Sequence, residues 1–318
     1  MNFNPALTTQ RGIALLSVLV VSLILTLLIS GATAMLNKRM ALAIDAKQQL
    51  AEKMLAHAVK NELTYLIATQ RTTRAGVSKG TNPQGASRND AIWALRYIGD
   101  EIRVDGFEYS RTNELATVHY SIQAVNGLIP VNSSAQNWLN RWLYSTGMDN
   151  YTAARYTDAL ADYADPDDWS RPAGGERRSY LNRGMAPPTN FLLQHCGELY
   201  DILHWHDNPD LVSQLQPFCG LRRSASVNLN AIPAPLLHQL WPNLADQILA
   251  ERANGEWILG HSQAQLKFND ISGMTDDFIR FIAGSRFKIQ IKTGSHVEAT
   301  ELTTGTKLLP PYTERPLR

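Results

Sequence analysis

Five carboxylates crowd one short stretch of the chain: Asp162, Asp165, Asp167, Asp168 and Glu176. Pro166, Pro172, Gly174 and Gly175 interrupt it, and Tyr163, Trp169 and Tyr180 are at hand to pack beneath. Carboxylates at this density repel unless a cation or basic side chains neutralise them. Calcium takes about 6–8 oxygen ligands and suits irregular loops where carboxylates and carbonyls converge. Arg171, Arg177 and Arg178 lie in the same stretch and offer the other solution, local ion pairs. The spacing is not that of an EF-hand.

A second group comprises His195, Cys196, His204, His206, Asp207 and Cys219. Histidine and cysteine are the usual zinc ligands, but the spacings match neither C-x-x-C nor H-x-x-x-H. Cys196 and Cys219 are the only cysteines. Outside the cytoplasm they could pair, closing a loop worth roughly 3 kcal/mol; the alternative is two free thiols. No H-E-x-x-H pattern occurs, and an anchored hydrolase ranks last among the functional classes. Lys and Arg number 30 against 29 Asp and Glu, a balance with no electrostatic footprint for nucleic acid.

The elements that carry these residues begin with an apolar helix. Between Arg11 and Lys38 no side chain is charged, and Ile13 to Leu36 is long enough to span a bilayer, which takes about 20 apolar residues. The run exceeds the apolar core of a removable secretory signal. Arg11 on the cytoplasmic side would place everything after Leu36 across the membrane, although Lys38 and Arg39 argue the other way. Past Lys38, Ala51, Met54, Leu55, Ala58, Val59, Glu62 and Leu66 recur at helical spacing, which predicts one helix from about Ile13 to about Thr69.

From about Val125 the composition turns helical, after a strand-like GLIPVN. The stretch VNLNAIPAPLLHQLWPNLADQILAERANGEW and the residues after it read as two small helical hairpins of helix-hairpin-helix or SAM-like type. Where a DNA-binding hairpin would carry Gly-x-Gly, this chain has Trp241-Pro242-Asn243-Leu244, and proline offers no N–H to a phosphate. After Gly284 the pattern alternates: Phe287, Ile289 and Ile291 share one face, and Lys288, Gln290 and Lys292 the other. That predicts half-buried antiparallel strands completing a sheet begun around Gly106–Val125, with LPPYTERPLR as an edge segment.

The N-terminal arrangement resembles a type IV pilin precursor: a short leader ending in a base and glycine, then an apolar helix with an amphipathic continuation. GLIPVN, ALADYADPDDWSRPAGGERRSYL and SVNLNAIPAPLLHQL resemble, in order, three blocks of type II secretion system protein K, the large minor pseudopilin of that superfamily. This resemblance covers nearly the whole chain. It implies an α+β fold: a long pilin-type helix and a small antiparallel sheet, with a large inserted α-helical region of two SAM-like modules. The expected segments are a leader over 1–12, a membrane segment over 13–36, and the pilin-like helix and first strands over 37–127. A first helical domain with the acidic loop follows over 128–220, a second over 221–283, and closing strands over 284–318.

The resemblance also implies cleavage after Gly12 and N-methylation of Ile13 by prepilin peptidase, with calcium held by Asp165, Asp167, Asp168 and Glu176. It implies the I and J minor pseudopilins and the major pseudopilin as partners, with contacts to secretin and secreted substrates. The bulk of the chain would lie in the periplasm, anchored by a single pass in the inner membrane, and there would be no catalytic site. Most pilins carry glutamate at the fifth mature position; here that position is Ser17. A carboxylate in lipid is costly unless paired, so its loss points to the tip of the fibre. The other reading is a membrane-anchored nucleic-acid-binding protein of a competence-type system, carried by the helical hairpins.

Overall fold

The computed structural model describes residues 11–80, 99–268, 277–294, 296–305 and 310–317, with the backbone alone at 11–14. The expected leader therefore lies almost wholly outside the described residues. The chain divides into two units, Met1–Leu55 with Thr112–Thr117, and Ala56–Arg111 with Val118–Arg318.

The first unit holds most of helix α1 (Arg11–Thr69), 59 residues and about 90 Å long. Every large apolar side chain from Leu15 to Leu36 is exposed, which in water would be untenable for so long a run and fits a helix solvated by lipid. The same unit contains the turn Thr112–Thr117, where Asn113 Oδ1 accepts from the backbone N–H of Leu115 and Ala116 at 3.0 and 2.8 Å.

In the second unit the end of α1 buries Val59, Leu63, Leu66 and Ile67. Ala58 and Glu62, which share the helical spacing read from the sequence, are exposed. A helical period predicts which positions share a face, but not where along a helix a partner begins.

After β1 (Gly76–Val77) and β2 (Ile102–Arg103) come the long strands β3 (Asp105–Thr112) and β4 (Thr117–Ala124). The inserted region opens with β5 (Ile129–Pro130), α2 (Asn137–Ser145), α3 (Asn150–Ala164) and α4 (Arg177–Leu181). It continues through α5 (Pro209–Leu215), β6 (Cys219–Gly220), β7 (Val227–Asn228), α6 (Ala234–Leu240) and α7 (Ala245–Ala253). It closes with α8 (His261–Lys267) and β8 (Ile279–Arg280). The chain then returns to the sheet as β9 (Arg286–Lys292), β10 (Val297–Thr304) and β11 (Tyr312–Leu317).

The five-stranded sheet has the order β11-β10-β9-β4-β3. Strand β9 pairs antiparallel with β4, with Ala124 opposite Phe287. Phe287, Ile289 and Ile291 are all buried, as their alternation predicts. β11 is one of the two edge strands, and Pro316 is tolerable there because an edge residue can do without a ladder N–H.

The two helical modules are less separate than expected. One contiguous set of buried side chains runs from Ile129 through α2, α3, α5, α6 and α7 to Phe281. Trp138 of the first module meets Trp241 of the second edge-to-face at 5.5 Å, and Trp142 Nε1 donates to Gln239 Oε1 at 2.8 Å. Hydrophobic periodicity marks helices but is silent about which helices share a core.

Candidate functional site

Helix α3 ends at Ala164 and delivers Asp162 from its last turn into the acidic loop. Asp162 is fully buried, and the loop folds around it. Its carboxylate accepts the Arg171 backbone N–H at 3.0 Å and Arg171 Nη1 at 2.6 Å. The same Nη1 donates to Asp165 Oδ2 at 2.5 Å. Asp158 Oδ2 accepts the Ala173 N–H at 3.1 Å, which holds the far side of the loop to α3. Gly174 is required by closeness: a Cβ there would stand 2.1 Å from Asp162 Oδ2. Asp162 belongs to the acidic block but not to the expected calcium ligands. The available signal was its position in the last turn of an amphipathic helix, where an unpaired acid would be anomalous.

Glu176 follows at the start of α4. Both of its carboxylate oxygens are buried without a hydrogen-bond partner. Burial first, and then the fields of Asp162, Asp165, Asp168 and Asp167, push its pKa up to about 7. Asp165 Oδ1 is likewise buried and unpartnered. Asp167 Oδ1 instead accepts the Trp169 N–H at 2.9 Å, and Asp168 Oδ1 accepts from Asn190 Nδ2 at 3.4 Å. Among the described residues no three His, Cys, Asp or Glu side chains are placed to hold a metal ion; Asp165 and Glu176 keep open oxygens, while Asp167 and Asp168 accept the donors just named. Arg171 pairs with Asp165 and Asp162, which raises its own basicity.

The histidines go separate ways. His195 faces Glu198 at 3.6 Å, His204 Nδ1 faces Arg155 Nη2 at 3.1 Å, and His206 Nδ1 faces the Tyr200 carbonyl at 2.8 Å. Cys196 and Cys219 are joined as a disulfide, Cα to Cα 6.2 Å, which ties the turn Cys196–Asp201 to β6.

The other two motif blocks are built of fold-holding groups. Asn132 of GLIPVN exchanges two hydrogen bonds with the Leu193 backbone at 2.9 and 3.0 Å. Asn230 of SVNLNA donates to the carbonyls of Ile258 and Phe281 at 2.8 and 3.1 Å, and accepts the Ile258 N–H at 3.2 Å. The blocks also touch: a Cβ on Gly127 would lie 2.0 Å from the Ala231 carbonyl oxygen. In the second hairpin Trp241 is buried in the common core, so the place of a phosphate grip is taken by packing.

Residues 113–222, which include the acidic loop, match the family model of protein K of the type II secretion system (T2SS). This segment is similar to a T2SS protein K domain. The fold is also similar to that of a chain in the crystal structure of the GspK-GspI-GspJ complex from the type 2 secretion system of enterotoxigenic Escherichia coli. The TM-score is 0.54 at 12% identity, over 88% of this chain and 99% of that one. Among curated proteins none matches the sequence significantly. Within this segment the buried Asp162 is paired with the more exposed Arg171, Glu176 brings an unanswered carboxyl to the same loop, and Trp169 stands 84% exposed.

Proposed function

We propose that this chain is a minor pseudopilin of the type II secretion system, the tip component of a periplasmic pseudopilus. The observation that carries this reading is the protein K-like segment itself, set behind a helix with a fully exposed apolar half. The inserted region leaves the sheet after β4 and returns at β9. Such a bulky insert suits a subunit that nothing has to stack upon, and Ser17 in place of a buried glutamate agrees with that position. The partners are the I and J minor pseudopilins, then the major pseudopilin, secretin and secreted substrates. Prepilin peptidase would cut after Gly12 and methylate Ile13, leaving a single-pass inner-membrane anchor with the bulk in the periplasm. The role is one of assembly and contact, with no catalytic residue invoked. The helical hairpins carry the nucleic-acid alternative poorly, since Trp241 faces the core and Pro242 has no N–H.

Co-expression with candidate I and J pseudopilins tests the reading. A ternary complex that co-purifies through affinity and size-exclusion steps is expected; failure of this chain to associate with either partner would reject it.

A calcium role at the acidic loop is a further part of the proposal. It is supported by the open oxygens of Glu176 and Asp165, which suit a hard cation. Those two residues would hold the ion, with Asp167 and Asp168 on the same loop, and the ion would supply charge neutralisation only.

A further inference from the structure

Arg222 follows β6 as the chain enters the second helical module, and it is largely buried. Its Nη2 donates to two backbone carbonyls, Ser226 at 2.7 Å and Asn126 at 3.4 Å, while its Nε is buried without a partner. No carboxylate of the described residues reaches it, in contrast to the fully buried guanidinium of Arg252, which has Asp105 at 2.9 Å. Burial and the neighbouring Arg286 push the Arg222 pKa down to about 10, the direction expected for a cation with no anion beside it. Buried charges are ordinarily paired.

This arginine lines a cavity of about 410 Å³ together with Arg223, Arg286 and Arg315. A second cavity of about 590 Å³ shares Gln194, Leu221 and Arg315 with the first and adds Lys288 and Glu301. Among the described residues four guanidiniums and an ammonium thus meet one carboxylate, Glu301, which faces Arg286 at 3.5 Å. Arg286 also donates to the Leu221 carbonyl, Arg315 Nη2 to the Gln194 carbonyl at 3.2 Å, and Lys288 Nζ to the Cys219 carbonyl at 3.0 Å. The chain as a whole carries a net charge of only +1, so this excess is local.

We propose that the groove is a docking site for an acidic segment of a partner protein, with a carboxylate seated against Arg222 and Arg315. Guanidinium forks match carboxylates in pairs. The apolar lining from Leu192, Leu193 and Leu221 suits a peptide, whose side chains it can cover; a phosphate has no use for it. The walls are preorganised. Glu198 Oε1 accepts the N–H groups of Gln194 and His195 at 2.7 and 2.9 Å, Asn132 clamps Leu193, and the disulfide joins the two sides at Cys196 and Cys219. A fixed groove loses less entropy on binding. The inference rests on the groove's own charge and shape, and stands or falls independently of the family assignment.

The test uses the full chain in detergent and a fluorescein-labelled hexapeptide alternating leucine and aspartate, read by anisotropy. A twin alternating leucine and asparagine serves as the comparison. Binding of the acidic peptide is expected, weaker by about tenfold or more for the twin, and weakened similarly by Arg222→Gln. The double variant Arg223→Gln with Arg315→Gln removes two exposed cations that hold no buried structure, and it should lose binding to the same degree. Equal affinity for both peptides, or full binding by the double variant, would overturn the proposal. Saturation by inorganic phosphate with no peptide bound would overturn it as well, in favour of a small-anion pocket.

Discussion

Arg252 and Asp105 meet at 2.9 Å with their side chains 1% and 2% exposed, joining α7 of the inserted region to the first residue of β3. The guanidinium also donates to the carbonyls of Ile232 and Leu229 at 2.8 and 2.7 Å, and Arg103 approaches the same carboxylate at 2.5 Å. One carboxylate therefore answers two cations at the seam between sheet and helices. Asp105→Asn leaves a buried cation unbalanced and should destabilise by about 3–5 kcal/mol, seen as a lower urea midpoint. A change under 1 kcal/mol would mean that the carbonyls alone suffice.

Glu176 is a titratable liability. Its folded pKa lies near 7, above the ordinary carboxyl value of 4.5. The folded state therefore binds the proton more tightly. The stability this confers is complete below the unfolded pKa and is lost as pH rises through about 7. Without metal, the chain should melt lower at pH 8 than at pH 5.5, and Glu176→Gln should flatten the difference. Calcium at pH 8 should restore the melting temperature of the wild type but not of Glu176→Gln or Asp165→Asn. Equal responses of wild type and variants to calcium and to EDTA would remove the metal from the account.

The disulfide closes a loop of 23 residues in sequence separation. Replacing Cys196 and Cys219 together by serine should cost about 3 kcal/mol on the chain-entropy estimate. Denaturation with and without reductant measures this directly: the wild type should fall to the level of the double variant, and the variant should not respond.

Gly12→Ala should leave the leader attached and Ile13 unmethylated when the chain is expressed with a prepilin peptidase. Mass spectrometry of the intact protein reads both at once. A normally shortened product would show that the residue before the apolar run is not read by that protease.

Much of this fold was legible because several of its patterns are local. The alternation at Phe287, Ile289 and Ile291 predicts both the strand and its buried face, and the uncharged run after Arg11 predicts the helix. Gly127, Asn132 and Asn230 stand in the motif blocks that carry the resemblance, and their jobs are backbone contacts that few other side chains can make. What remained hidden was assembled over long range. Asp162 looked like one acid among five until the fold placed Arg171 over it. Residue type and proximity set Asp167 and Asp168 beside Asp165 and Glu176, but do not show that the first two have donors at hand while the others keep open oxygens. The arginine groove draws on positions 222, 223, 286 and 315, and no sequence spacing connects them.

The placement of Ala124 opposite Phe287 has a kinetic consequence. These partners are separated by about half the chain, yet they lie one strand spacing apart in the sheet. Closing so long a flexible loop is entropically costly and slow. Once the inserted region has condensed on its own core, its two ends stand close together, and most of that closure is already complete. The helical region would then fold first and act as the clasp that lets β9 find β4. In φ-value terms, Trp142 and Trp205 would belong to the nucleus and Ile289 to the late events.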